Sequence, residues 1–98
     1  MKVVINTCYG GFGLSTVARE RYLELSGQRP ANWFDLKRTD KYLVQVVEEL
    51  GIEANGSYSF LKIVDIDPGR WYRIEEYDGY EYILYRDIDD DWQLAIDD

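Results

Sequence analysis

The sequence contains no histidine and only one cysteine, Cys8. Histidine is the commonest general base and transition-metal ligand, so Ser-His-Asp and Cys-His catalysis are excluded. A single cysteine can form neither a disulfide within the chain nor a cysteine cluster for zinc. The composition therefore excludes many enzyme mechanisms. We expect a non-enzymatic protein with no catalytic residues, no metal and no cofactor.

Long apolar runs and basic residues are also scarce. No apolar stretch approaches the roughly 18 residues of a membrane span, and the first residues lack the apolar region of a secretion signal. We therefore expect a cytoplasmic protein with no membrane partner. The 19 acidic and 11 basic residues give a formal net charge of −8. This charge should repel nucleic acid and attract basic protein surfaces.

The 98 residues are enough for one domain, residues 1–98, and 46% of them are hydrophobic. Residues 2–7 are rich in Val and Ile, which predicts a strand. Ser15 stands where a helix N-cap should be, and apolar residues then recur at helical spacing until Gly27. Residues 28–38 predict a loop, in which the letters "NWF" could form a short edge strand.

A second helix is predicted over residues 40–50. Thr39 or Asp40 supplies the cap, and apolar residues then follow at i, i+3, i+4 and i+7 on one face. Gly51 followed by Ile52 resembles a left-handed C-terminal cap with a hydrophobic contact after it.

The rest of the sequence predicts strands. Residues 59–66 are apolar on both alternate sets of positions, which indicates a central strand with both faces covered. The fold class is therefore α+β: two α-helices pack on an antiparallel sheet of three to five strands. The order is β-α-α-β-β-β, with residues 92–96 as an optional edge strand at the C-terminal end.

A hairpin is predicted around Asp78 and Gly79, because this dipeptide is typical of a type I′ turn. The turn fixes the register of both strands. It places two pairs opposite each other on the face towards the core: Ile74 with Ile83, and Tyr72 with Tyr85.

The hairpin and the tail after it combine tyrosines with many acids. Such a face is typical of protein interfaces, since a tyrosine ring packs while its hydroxyl keeps a hydrogen bond. The alternative is a solvated hairpin whose tyrosines pack on the helices. The tail also matches part of a calcium loop, but Trp92 stands where that loop needs glycine. The candidate protein-binding residues are Glu75, Glu76, Tyr77, Asp78, Tyr80, Glu81, Tyr82, Asp89, Asp90 and Asp91.

The letters "CYGGFGLS", residues 8–15, form a second candidate site. A strand followed by glycines and a helix is the layout that cradles a phosphate. A dinucleotide site is disfavoured, because Thr16 replaces the third glycine of its fingerprint and the chain is too short for a doubly wound sheet. A nest of backbone N–H groups that binds an anion and a simple turn with positive φ remain. The candidate ligand-binding residues are Tyr9, Gly10, Gly11, Phe12, Gly13 and Ser15.

Three stretches carry a family resemblance: "KVVINTCYGGFGLS", "RTDKYLVQVVEELG" and "LKIVDIDPGRWYRIEEYDGYEYI". Together they resemble a family of small proteins encoded by tailed bacteriophages and prophages. The resemblance covers residues 1–27 and 37–85. Longer members carry an insertion between the two helices, and the segment after Arg86 is more acidic here than in the family.

The resemblance implies a phage origin and brings no established activity. With the negative charge, it favours a non-enzymatic inhibitor of a host defence protein, of the anti-CRISPR or anti-restriction type, which mimics the charge of DNA. The expected partner is a host protein with a basic, nucleic-acid-binding surface. One alternative is a nucleotide sponge that sequesters a defence signal at the glycine-rich loop. Another is a phage accessory domain that forms homo-oligomers through its edge strands.

Overall fold

The computed structural model describes residues 1–86 and 93–94, and these ranges form an α+β fold with two α-helices. Short 3₁₀ helices cover Trp33–Asp35 and Gly51–Ala54. No helix in the described ranges has the length and apolar character needed to cross a membrane. The helices and strands are β1 (Lys2–Asn6), α1 (Thr16–Ser26), α2 (Lys41–Leu50), β2 (Leu61–Asp65), β3 (Trp71–Tyr77), β4 (Tyr80–Arg86) and β5 (Gln93–Leu94).

The described strands form two antiparallel sheets, so the prediction of a single sheet is wrong. β1 pairs with β2, and β3 pairs with both β4 and β5. Where β1 approaches β4, the N–H of Asn6 donates to the side chain of Glu81 at 2.9 Å. Because a carboxylate takes the place of a backbone carbonyl there, the backbone ladder does not continue from one sheet into the other.

The sheet of β1 and β2 lies between the helices and the hairpin of β3 and β4. Val4 packs in the hydrophobic cluster that contains the helices, whereas Val3 and Ile5 pack in the cluster that contains Tyr72 of β3. The segment around β2 divides in the same way, with Leu61 and Ile63 facing the helices and Val64 and Ile66 facing the hairpin. Both faces of β2 are covered, as predicted, but β2 pairs only with β1 among the described strands, so the prediction of a central strand is wrong.

Both helices begin at the caps that the sequence indicates. The Ser15 hydroxyl accepts from the N–H of Ala18, and Gly27 ends α1 with φ 71°. Asp40 caps α2, and its Oδ2 also accepts from the Tyr22 hydroxyl at 2.9 Å. Burial, and then this hydrogen bond, raise the pKa of Tyr22 to about 12. The folded chain therefore holds this proton more tightly, and the associated stabilisation is lost as the pH rises towards 12.

Two local predictions are wrong. The letters "NWF" do not form an edge strand: Asn32 caps the 3₁₀ helix Trp33–Asp35, because its side chain accepts from the N–H of Phe34 and closes a turn. Gly51 has φ 60° but ψ −130°, so it is not a left-handed cap, and the chain continues directly into a 3₁₀ helix. Ile52 is 76% exposed and does not make the expected hydrophobic contact.

The hairpin has the register that the sequence predicts. Tyr77 pairs with Tyr80, and the turn residues Asp78 and Gly79 have φ 50° and 90°. Ile74 lies opposite Ile83 and Tyr72 lies opposite Tyr85, as expected, but Tyr85 is 43% exposed and does not belong to the core. A Cβ at Gly79 would lie 2.6 Å from the carbonyl oxygen of Tyr9. The turn therefore packs directly on the glycine-rich loop.

A buried junction of Asn6, Arg38 and Glu81 joins the two sheets. Glu81 is 7% exposed. Its Oε1 accepts from the backbone N–H of Asn6 at 2.9 Å and from Nε of Arg38 at 3.2 Å, and its Oε2 accepts from Nη2 of Arg38 at 2.9 Å. The bidentate pair gives both charged groups defined partners in a region with little water.

The junction also holds the loops around it. Nη1 of Arg38 donates to the carbonyl of Leu36 at 2.6 Å and to that of Phe34 at 3.3 Å, and the guanidinium lies 3.6 Å from the centre of the Phe12 ring. The Asn6 side chain bonds three further backbone groups: the carbonyls of Cys8 and Gly79 and the N–H of Phe60. One set of three side chains thus fixes the glycine-rich loop, the first 3₁₀ helix and the hairpin turn.

Glu81→Ala should lower the free energy of unfolding by about 3–5 kcal/mol, because it leaves the Arg38 charge and the Asn6 N–H buried without their acceptor. Urea unfolding followed by circular dichroism measures this loss. Glu24→Ala is the control, since the Glu24 side chain is 67% exposed and should change stability by less than about 0.5 kcal/mol. An equal effect of the two substitutions would contradict the role of the junction.

Candidate functional site

Hydrogen bonds join the glycine-rich loop to the loop at residues 55–59. The carbonyl of Gly13 accepts from the N–H of Gly56 at 3.1 Å and from the hydroxyl of Ser59 at 2.7 Å. The Ser15 hydroxyl donates to the carbonyl of Glu53 at 2.7 Å. The two loops therefore form one rigid unit at the start of α1.

Glycines in these loops are needed for close packing as well as for backbone conformation. A Cβ at Gly10 would lie 2.2 Å from atoms of Tyr58, and a Cβ at Gly56 would lie 3.0 Å from the backbone of Gly13. Gly11 has φ 97°, a value that disfavours residues with a side chain. The prediction of a turn with positive φ is thus confirmed, and the second loop explains why further glycines are needed.

A cleft of about 640 Å³ opens between the two loops. Its volume lies within the range of roughly 300–1,000 Å³ that is usual for small-ligand sites. The described residues that line it are Gly10, Gly11, Phe12, Gly13, Leu14, Ser15, Thr16, Arg19, Phe34, Asn55, Gly56, Ser57, Tyr58 and Ser59.

Arg19 is the only charged residue among the described residues that line the cleft. Its guanidinium lies 5.5 Å from the centre of the Trp33 ring. The Nε atom is buried and has no hydrogen-bond partner among the described residues. In a chain with net charge −8, this cleft therefore combines a local positive charge with a donor that is not used inside the protein.

The other polar groups of the cleft are mostly donors or hydroxyls. The Ser15 hydroxyl accepts from the third N–H of α1, and the N–H of Thr16 in the first turn has no acceptor within the helix. Thr16 and Ser57, which both carry hydroxyls, also line the cleft. Asn55 uses its Oδ1 to accept from Leu61, which leaves its amide N–H groups as donors. Such a set of donors beside an arginine favours an anion.

The structure places five of the six predicted ligand-binding residues in the cleft: Gly10, Gly11, Phe12, Gly13 and Ser15. The sixth, Tyr9, is 63% exposed and packs on Tyr80, with ring centres 5.3 Å apart. Sequence reasoning missed Arg19, although its position one helical turn after Ser15 could have indicated it. It also missed the loop at 55–59, for which the local pattern gave no signal.

The acidic residues of the hairpin are less available than the sequence suggests. The assignment of Glu81 to an exposed binding face is wrong, because Glu81 is buried in the junction. Glu75 pairs with Arg73 at 2.6 Å, and the Glu76 carboxylate accepts from the N–H of Gly79 at 2.6 Å. Only part of the expected negative charge is therefore free for a partner.

The remaining hairpin residues stay accessible. Tyr77 is 72% exposed, Tyr82 is 41% exposed and Asp78 is exposed as well. Within residues 1–86 and 93–94, no group of three or more acidic or cysteine side chains is arranged to hold a metal ion. The predicted contacts Asp89, Asp90 and Asp91, and with them the partial calcium loop, lie outside the described residues.

Gly10→Ala should lower the free energy of unfolding by about 1–3 kcal/mol, because the new methyl group collides with Tyr58 and pushes the two loops apart. Gly13→Ala is a matched control. A Cβ at Gly13 meets nothing within 4 Å and its φ is not positive, so stability should change by less than about 1 kcal/mol. Thermal unfolding compares the two, and equal melting temperatures would contradict the tight packing of the loops.

No family model matches the chain, and no curated protein or solved structure is significantly similar to it. The resemblance to a phage family therefore stays a prediction. What the chain binds has to be inferred from the groups that line the cleft.

Proposed function

We propose that the protein binds a small phosphorylated ligand in the cleft between its two loops and holds it without reaction. The observation that carries this proposal is the placement of Arg19, which is the only charged residue among the described residues that line the cleft. A phosphate would accept from the guanidinium and from the donors of the first turn of α1.

The chemistry of the lining supports binding more than catalysis. The described lining residues offer backbone amides, hydroxyls, one side-chain amide and one guanidinium. None of these groups accepts a proton readily at neutral pH, so no general base stands beside the hydroxyls. The hydrogen bonds between the two loops also support binding, because a preformed cleft loses little conformational entropy when a ligand enters.

This proposal fits the sponge alternative that the sequence raised. A phage protein that binds a host defence signal tightly would lower its free concentration, and no chemical step would be needed. The net charge of −8 would oppose loose, non-specific binding of anions. Ligand binding would then depend on the contacts inside the cleft.

Binding of a phosphorylated ligand should raise the melting temperature, by about 10 °C at a ligand concentration of 100 times Kd. Arg19→Gln should weaken this binding by at least about 10-fold, because it removes the charged donor from the cleft. Arg29→Gln makes the same change of charge at an exposed residue outside the cleft and should leave binding unchanged. A thermal-shift series with pyrophosphate, sugar phosphates and nucleotides measures all three proteins.

Two results would contradict the proposal. One is the absence of any shift with millimolar concentrations of every phosphorylated compound. The other is a shift that Arg19→Gln and Arg29→Gln reduce equally, since this would reflect the overall charge and not the cleft.

A second candidate function is protein binding by the outer face of the hairpin, which would serve inhibition of a host defence protein. Tyr77, Tyr82 and Leu84 lie on this face, and they are 72%, 41% and 37% exposed. Exposed aromatic area of this kind is typical of an interface. Glu75, Glu76 and Glu81 already have partners within the protein. Contacts to a host protein would therefore come from the aromatic side chains more than from mimicry of DNA charge.

Tyr77→Ser combined with Tyr82→Ser should abolish capture of a host protein from lysate and leave the melting temperature almost unchanged, because both side chains are exposed. Tyr58→Ser is the control, since Tyr58 is 74% exposed but lies at the cleft. If the double variant captures the same proteins as the unmodified chain, the hairpin face is not the interface.

A further inference from the structure

We infer that the ligand of the cleft carries a planar aromatic ring, as a nucleotide does, and that Phe34 and Tyr58 hold this ring. The inference rests on the proposed binding of a phosphorylated ligand and names its class. Both residues line the cleft: Phe34 comes from the first 3₁₀ helix and Tyr58 from the loop at 55–59. Phe34 is 61% exposed and Tyr58 is 74% exposed, so most of each ring is available for contact.

Phe34 is held in place by the first 3₁₀ helix. Its N–H donates to the Asn32 side chain at 2.9 Å, and its carbonyl accepts from Arg38 at 3.3 Å. The preceding residue, Trp33, packs edge-on against the ring of Tyr22 and lies against the guanidinium of Arg19. One short helix therefore sets the position of the charged group for a phosphate and of a ring beside it.

Tyr58 is held in place by the glycine-rich loop. Its backbone and Cβ lie against Gly10, where no side chain could fit. Its neighbour Ser59 donates to the carbonyl of Gly13. The backbone and Cβ of Tyr58 are thus fixed by two hydrogen-bonded loops, although the residue is 74% exposed. An aromatic residue that is fixed at its backbone and exposed at its side chain is suited to pack against a flat ligand.

The chemistry of the cleft favours a free nucleotide over a nucleic acid strand. Stacking on aromatic rings is tolerant of base identity, and one arginine with a few N–H groups suits one or two phosphates. A strand would place further phosphates against a protein of net charge −8. A sugar phosphate without a base would leave both rings exposed.

Isothermal titration calorimetry with four probes tests the inference. The probes are pyrophosphate, ribose 5-phosphate, a panel of adenine and guanine nucleotides and a single-stranded oligonucleotide. We expect at least one nucleotide to bind at least about 10-fold more tightly than ribose 5-phosphate, because each stacked ring contributes to affinity. Tighter binding of the oligonucleotide would overturn the assignment to a free nucleotide.

Variants separate the contribution of the rings from that of the phosphate. Phe34→Leu and Tyr58→Leu keep an apolar side chain but remove the ring, and each should weaken nucleotide binding by about 10-fold while leaving pyrophosphate binding unchanged. Phe60→Leu is the control, because Phe60 is 52% exposed and is not among the lining residues. Melting temperatures establish that each variant is folded.

The outcomes distinguish the two proposals. If pyrophosphate, ribose 5-phosphate and every nucleotide bind equally and the leucine variants behave like the unmodified chain, the ring inference is wrong and the phosphate site stands. If none of the phosphorylated probes binds, both proposals fail. If nucleotides bind and only Arg19→Gln weakens them, the rings have no role in recognition.

Discussion

The fold depends on the buried ion pair between Arg38 and Glu81. Bringing two charged groups out of water is costly, and the cost is offset only where hydrogen bonds satisfy nearly every donor and acceptor. Here Glu81 accepts three hydrogen bonds, and Arg38 also donates to two backbone carbonyls. A shift of either side chain would leave a buried charge without its partner. The pair therefore holds the hairpin, β1 and the loop before α2 in one relative position.

The ion pair also fixes the shape of the cleft, although neither of its side chains lines the cleft. Arg38 bonds the carbonyl of Phe34 and covers the ring of Phe12, and both of these residues line the cleft. Asn6 fixes the start of the glycine-rich loop through Cys8 and the end of the opposite loop through Phe60. The proposed ligand site and the structural core are thus mechanically connected, and a cleft of this kind is preformed before any ligand arrives.

Local patterns in the sequence predicted the helix caps at Ser15 and Asp40 and the register of the hairpin, because each depends on residues a few positions apart. That register also places Glu81 on the same face as Ile83, so its burial could have been predicted. Its partner Arg38 lies 43 positions away, and no local pattern indicates such a contact. No local pattern indicates the position of the loop at 55–59 either, because long-range hydrogen bonds hold this loop, which lines part of the cleft.

The middle position of the sheet of β1 and β2 has a consequence for how the chain folds. β1 pairs with residues 61–65, which follow both helices in the chain, and among the described residues one of its faces is covered by the later hairpin. β1 therefore gains its partner strand only after both helices have been made. Contacts of such long sequence separation slow folding and make it cooperative. The helices and the hairpin depend on local contacts, whereas the core between them depends on this long-range pairing.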